Sequence, residues 1–176
     1  MDARAHQKII ILTGHDCSGK TTIAKELSRS IHVPYFQNTL TKEYLKKGRE
    51  YLVNAMRFDQ DYILQFLEQT GYSVIFDRAY ESEWVYSRVM NYITDERKIW
   101  DIDRKFAVMN AHMVICHKDL RNYQDDTFSV EDGGYRARDY YFDFHKLTLC
   151  RSLLLNTDDE NLDKQITTIM RWANFG

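Results

Sequence analysis

The sequence predicts an α/β fold in three layers, a five-stranded parallel sheet with helices on both faces. Three observations predict it: short runs that are apolar at every position, segments of helical period between them, and a glycine-rich loop joining the first run to the first helix. Residues 8–13 (KIIILT) are β-branched and uninterrupted, as a strand buried on both faces requires. Gly14 to Gly19 breaks the run, and residues 20–31 then read as a helix with Ile23, Ala24, Leu27 and Ile31 on one face. Residues 33–36 give a short second strand. Residues 41–71 are helical with a break at Gly48; Leu52, Ala55 and Met56, then Ile63, Phe66 and Leu67, form the inward face, and Gly71 is the stop. Residues 72–76 (YSVIF) make a strand that ends in Asp77-Arg78, followed by helical stretches at 82–92 and 97–109. The strand at 112–116 (HMVIC) leads into a polar, glycine-containing stretch at 122–134 and a charged, aromatic continuation, YRARDYYFDFH. A strand at 152–155 and a helix at 162–172 complete the alternation, which is that of a doubly wound parallel sheet.

A chain of 176 residues has room for one domain, 1–176, with no repeat, low-complexity tract or linker to divide it. The net charge of −2 argues against stable nucleic-acid binding or adhesion to an anionic membrane, both of which favour a basic excess. The three cysteines, Cys17, Cys116 and Cys150, stand singly, as reduced thiols do and as zinc sites or disulfide frameworks do not. The apolar run after Lys8 is too short for a signal peptide and no stretch is long enough to span a membrane, so the expected compartment is the cytoplasm.

Gly14-His15-Asp16-Cys17-Ser18-Gly19-Lys20-Thr21 matches G-x-x-x-x-G-K-[ST]. Backbone amides must wrap a polyphosphate closely, so glycines stand where a Cβ collides or φ is positive, and the loop opens onto a helix N-terminus that favours an anion. The pattern carries weight only between a strand and a helix, and both are predicted here. Residues 14–22, from Gly14 through Ser18 to Thr21 and Thr22, are thus the candidate ATP-binding loop, with Lys20 reaching the β- and γ-phosphates and the Thr21 hydroxyl on Mg²⁺. His15 and Cys17 occupy variable positions of that loop. Asp77, at a strand end, is the candidate second magnesium group, and Arg78 beside it supplies a cation for a second anionic substrate. No N-K-x-D motif marks a GTPase.

Three stretches resemble the thymidylate kinases, within the nucleoside monophosphate kinases: GHDCSGKTT; the helical Leu52 to Gln60, similar to A-x-R-x-x-Q; and VIFDRAYESEWVY, similar to D-R-x-x-x-S-x-x-A-[YF] with Asp77, Arg78, Ser82 and Tyr86 at matching spacing. RARDYYFDF resembles the family's lid and the helix behind it. The resemblance spans nearly the whole chain and implies the P-loop kinase fold with a short lid near 121–138. It implies that Arg78 grips the acceptor's monophosphate, that Arg57 bonds a base carbonyl, and that Asp16 lies near the acceptor sugar and phosphate. By the same resemblance Ser82 belongs to the acceptor side, Tyr86 packs beside the sugar, and Arg136 and Arg138 are lid arginines that meet the transferred group. Residues 156–160 follow the last strand, where related folds cradle adenine. Residues 35–39 (YFQNT) lack the arginine the family carries after its second strand, and Val53 stands where the family stacks a phenylalanine on thymine. The space left by valine suits a larger or modified pyrimidine.

The reaction implied is transfer of the ATP γ-phosphoryl group to a pyrimidine deoxynucleoside monophosphate, dTMP or a relative, with Mg²⁺ as cofactor and small-molecule nucleotides as partners. The family's habit of dimerising leaves a homodimer open. Two alternatives stand beside it: a deoxynucleoside kinase, in which Asp77 serves as base for a sugar hydroxyl, and a nucleotide-binding switch that regulates a partner. Arg136 and Arg138 have a simpler reading as surface partners of Asp132 and Asp139, and the ring cluster Tyr140, Tyr141, Phe142 and Phe144 reads as core.

Overall fold

A computed structural model describes residues 7–37, 41–119, 133–159 and 161–175, with the side chains at 41, 42, 45, 49, 52, 53, 56–58 and 133–135 outside that description. The elements alternate along the chain as β1 (Ile9–Gly14), α1 (Lys20–Ile31), β2 (Tyr35–Gln37), α2 (Thr41–Lys46), α3 (Arg49–Thr70), β3 (Val74–Asp77), α4 (Glu81–Val89), α5 (Glu96–Val108), β4 (His112–His117), α6 (Gly133–Leu147), β5 (Arg151–Asn156) and α7 (Leu162–Ala173). The strands form one five-stranded parallel sheet in the order β2-β3-β1-β4-β5.

The most apolar run takes the middle of this sheet. Every residue of β1 is buried, and pairing on both edges sets Ile11 opposite Phe76 on one side and Met113 on the other. Alternation along the strand divides the interior in two. Ile9 and Ile11 face a layer built from α3, α4, α5 and α6, with Leu64, Trp84, Phe106, Tyr141 and Phe144 against them. Ile10 and Leu12 face α1 and α7, through Ile23, Leu27, Ile166 and Ile169. The expected three layers are thus present. From β1 the chain winds to one side through β2 and β3, then to the other through β4 and β5. The crevice at the carboxyl end of β1 is therefore the switch point where doubly wound sheets bind ligands.

Several boundaries move from their expected places for local reasons. The helical break at Gly48 is present, with φ 107°, and the helix before β3 ends at Gly71 with φ 66°. Tyr72 is 53% exposed, so the buried strand begins only at Val74. Among the described side chains of α3, Leu64 and Leu67 are buried with Ile63 packing beside them, Phe66 is exposed and lies against Tyr72, and the expected Leu52 and Met56 lie outside the description. Asp95 and Asn161 cap α5 and α7 by accepting the Lys98 and Lys164 amides. Cys116 and Cys150 are buried and Cys17 is exposed. Of the lid region 121–138, residues 121–132 lie outside the described residues and 133–138 belong to α6. Among the described residues no helix is long and apolar enough to cross a membrane.

Candidate nucleotide-binding site

The glycine loop leaves β1 where the sheet is tightest. Gly14 has φ 134°, and a Cβ there falls 2.0 Å from the Cys116 carbonyl oxygen of β4, so no larger residue fits. Gly19, with φ 78°, turns the chain into α1, and Cys17 also takes a left-handed conformation. The unpaired amides of the first turn of α1 then border the loop.

Lys20 is buried and its Nζ donates to the His15 carbonyl at 3.0 Å, curling back over the loop. Burial first, and then the charge of Arg78, lower its pKa to about 8 against the opposing pull of Asp16 and Asp77. Asp16 lies 4.0 Å from Lys20 and pairs directly with the Arg78 guanidinium. Its other oxygen accepts from Tyr86 Oη at 3.1 Å. Burial works to raise the Asp16 pKa, but the charges of Arg78 and Lys20 outweigh it and hold the carboxyl below its usual value.

Arg78 stands at φ 68°, directly after β3, with its own amide still bonded to the Leu12 carbonyl at 2.8 Å. Its Nη1 donates to Tyr141 Oη at 2.8 Å, and the guanidinium lies 5.2 Å from the centre of the Tyr86 ring. Burial disfavours its charge, yet Tyr141, Tyr86 and Asp16 together keep it charged well above the ordinary range. Asp77 accepts three donors on one oxygen, Oδ2: Thr21 Oγ1 at 2.6 Å, Tyr35 Oη at 3.1 Å and Gln37 Nε2 at 3.1 Å.

His15 is buried and bridges two neighbours: its Nδ1 bonds the Asp16 carbonyl at 2.7 Å and its Nε2 accepts the Lys118 amide at 3.1 Å. That pairing specifies the neutral ring with its proton on Nδ1. Burial is the main reason its pKa falls to about 4. On the far side of the loop, Thr157 Oγ1 reaches the Ser18 carbonyl at 2.9 Å and the His117 carbonyl at 3.1 Å, tying β4, β5 and the loop together.

The expected residues Gly14 to Thr21, Asp77, Arg78 and Tyr86 converge on this crevice, and Thr22 lies exposed in the first turn of α1. Ser82 turns inward instead, 3.1 Å from Glu81 Oε1 and 3.3 Å from Tyr141 Oη. Arg57 falls on α3 with its side chain outside the described residues. Arg136 donates to the Arg88 carbonyl at 3.3 Å and Arg138 pairs with Asp139 at 3.1 Å, so the described contacts of these arginines are to surface groups rather than to the loop. The sequence reading missed Tyr35, Gln37, Tyr141, Glu81 and Thr157. Tyr141 was assigned to the core, where its ring does lie, while its hydroxyl holds Arg78.

A magnesium ion fits the groups present. Thr21 and Asp77 offer two hard oxygens side by side, which suffice where phosphates and water complete the shell of Mg²⁺. Among the described residues no cluster of three His, Cys, Asp or Glu side chains forms an all-protein cage.

A central parallel strand feeding a glycine loop and helix, with a strand-end acid facing the helix's first threonine, defines the class: this is a three-layer P-loop kinase fold. No protein-family model and no curated protein sequence matches the chain. Among solved structures it is similar to the YorR protein from Bacillus subtilis in complex with phosphorylated GDP, at 24% identity and TM-score 0.69, covering 95% of this chain and 96% of that one. It is similar to thymidylate kinase from Ehrlichia chaffeensis at 19% identity and TM-score 0.65, covering 94% and 97%. Deoxyadenosine kinase from M. mycoides, solved with products dCMP and a flexible dCDP, matches at 17% identity and TM-score 0.61 over 94% and 98%. At these identities the likeness is one of fold.

Proposed function

We propose that this chain transfers the γ-phosphoryl group of ATP to a pyrimidine deoxynucleoside monophosphate, dTMP or a related or modified dNMP, giving the diphosphate. The observation that carries this reading is Arg78: a guanidinium set by the turn after β3, held by Tyr141 and Asp16, beside the phosphate loop and its lysine. A cation held at that place suits an acceptor that already bears a phosphate. Such an acceptor is ionised at neutral pH and needs no protein base. The work left to the chain is alignment and charge neutralisation.

In this reading the loop amides and Lys20 hold the β- and γ-phosphates, Arg78 holds the acceptor phosphate, and Tyr86 borders the sugar. Thr21 and Asp77 hold Mg²⁺, which when bound neutralises charge on the polyphosphate. Arg57 toward the base, and Arg136 and Arg138 from the lid, complete the assignment.

A second reading, phosphorylation of the free deoxynucleoside, draws support from the likeness of fold to deoxyadenosine kinase. It needs a carboxylate free to take a hydroxyl proton, and Asp77 is the candidate. Three donors already crowd Asp77 Oδ2, which favours the first reading. ATP consumption measured with dTMP, dCMP and dUMP against thymidine and deoxyadenosine separates the two. Turnover with the nucleosides and none with the monophosphates would sink the proposal.

A further inference from the structure

Glu81 is the one fully buried acid of the β3–α4 turn, at 0% exposure, and the chemistry proposed above does not touch it. Its carboxylate accepts the Ala79 amide on both oxygens, at 3.0 and 3.1 Å, and the Ser82 hydroxyl at 3.1 Å. These donors are neutral groups of the turn itself. Burial raises the Glu81 pKa, the hydrogen bonds from the Ala79 amide and Ser82 oppose that rise, and a carboxylate kept there answers a demand for an acceptor with no proton of its own.

The position makes that demand. Arg78 is a non-glycine residue in the left-handed region, a conformation that is unfavourable for a side chain with a Cβ and persists only when its surroundings impose it. On one side of Arg78 its own amide is fixed by Leu12 of the sheet; on the other the next amide, Ala79, is fixed by Glu81. A second path reaches the guanidinium. Arg78 can only donate, so at the 2.8 Å contact Tyr141 Oη accepts. The Tyr141 proton is then directed to Ser82 Oγ, 3.3 Å away, and the Ser82 proton to Glu81. An acceptor-only group at the end of this chain orients every hydroxyl in it so that a lone pair of Tyr141 faces Arg78.

We infer that Glu81 is a positioning residue for the acceptor phosphate: it holds the backbone turn and the Ser82–Tyr141 hydroxyl chain that together aim Arg78. This rests on the reading of Arg78 as the phosphate grip. Gln is nearly isosteric but brings an amide donor and no charge, so it weakens the clamp on Ala79 and permits the hydroxyl order to reverse.

The test is titration calorimetry of dTMP and, separately, of ATP, on wild type, Arg78→Ala, Glu81→Gln and the double variant, with thermal melts to confirm that each is folded. The expected result is that Glu81→Gln weakens dTMP about tenfold and leaves ATP unchanged. In the Arg78→Ala background the same substitution adds nothing, because the effect runs through the guanidinium. Glu81→Asp, which keeps the acceptor on a shorter stem, recovers part of the loss. If Glu81→Gln leaves dTMP affinity intact, or weakens dTMP and ATP alike, the inference is overturned while the reading of Arg78 stands. If wild type and Arg78→Ala bind dTMP equally, the reading of the site fails, and the inference with it.

Discussion

The neutral His15 inside the loop makes the fold acid-sensitive by an amount that follows from its contacts. Its pKa drops from 6.5 to about 4, mainly through burial and further through Lys20; Asp16 opposes the drop, and His117 adds to it. Between those two values the unfolded chain binds more protons than the folded one. The His15 contribution is therefore fully present above pH 6.5 and is lost as the pH falls toward 4. Linkage across that window gives a loss of about 2 kcal/mol between pH 7 and pH 5. The structural cause is specific: a second proton on the ring eliminates the acceptor that Nε2 offers to the Lys118 amide. Urea unfolding of wild type and His15→Asn at both pH values measures the effect. The variant is expected to start about 1 kcal/mol below wild type at pH 7, because the Lys118 bond is lost, and to show a shallower decline toward pH 5. Parallel declines in the two proteins would refute the argument, since His15 would then not be the group that titrates.

Lys20→Met is expected to reduce phosphoryl transfer by about 10²–10³-fold, the usual effect of removing one charge from a phosphate site, in a coupled ADP-release assay. The same variant is expected to melt at or above the wild-type temperature at pH 7, because a buried lysine whose pKa is lowered from 10.5 to about 8 opposes folding while charged, a cost relieved only as the pH rises from 8 through 10.5. Thr157→Val removes the hydroxyl that reaches the Ser18 carbonyl and is expected to raise the KM for ATP severalfold at a stability loss of about 1–2 kcal/mol, read from steady-state kinetics and chemical unfolding. Asp103→Ala strips the buried carboxylate that accepts Tyr80 Oη, Thr148 Oγ1 and the Leu149 amide, and is expected to destabilise by more than about 3 kcal/mol while leaving the KM values of the folded enzyme unchanged.

The strands, the glycine loop and the Asp77-Arg78 strand end were legible because each is local. A run apolar on both faces needs a sheet around it, and the loop's glycines answer the positive φ their own turn requires, 134° at Gly14 and 78° at Gly19. The sequence is quieter about pairs brought together across the fold. Residues 33–36 read as a short second strand and Gln37 as part of a stretch missing an arginine, yet parallel register sets Gln37 opposite Asp77 and delivers the polar tips of Tyr35 and Gln37 to that carboxylate. Period-2 alternation, with Tyr35 and Gln37 on one face and Phe36 on the other, was the available signal. Glu81 and Thr157 carry no such mark, since a glutamate in a first helical turn and a threonine after a strand are ordinary on the surface; only the three-dimensional packing buries them. Arg57 and residues 121–132 leave the base and lid assignments as expectations from resemblance.

On the proposed reading, the arrangement of charge lets a chain of net charge −2 serve polyphosphate ligands. Lys20 and Arg78 bring two cations to the crevice, but Asp16 lies against both and Asp77 stands behind Thr21. The side chains alone therefore sum close to neutral. The selective positive potential comes from fixed dipoles, the amides of residues 14–21 and the N-terminus of α1, which act only on an anion small enough to enter the loop. Asp16 adds a second filter. In the proposed reading it shares the Arg78 guanidinium with the acceptor phosphate, which favours a ligand that delivers a well-aligned phosphate. In this site selectivity arises from where charges are held rather than from how many there are.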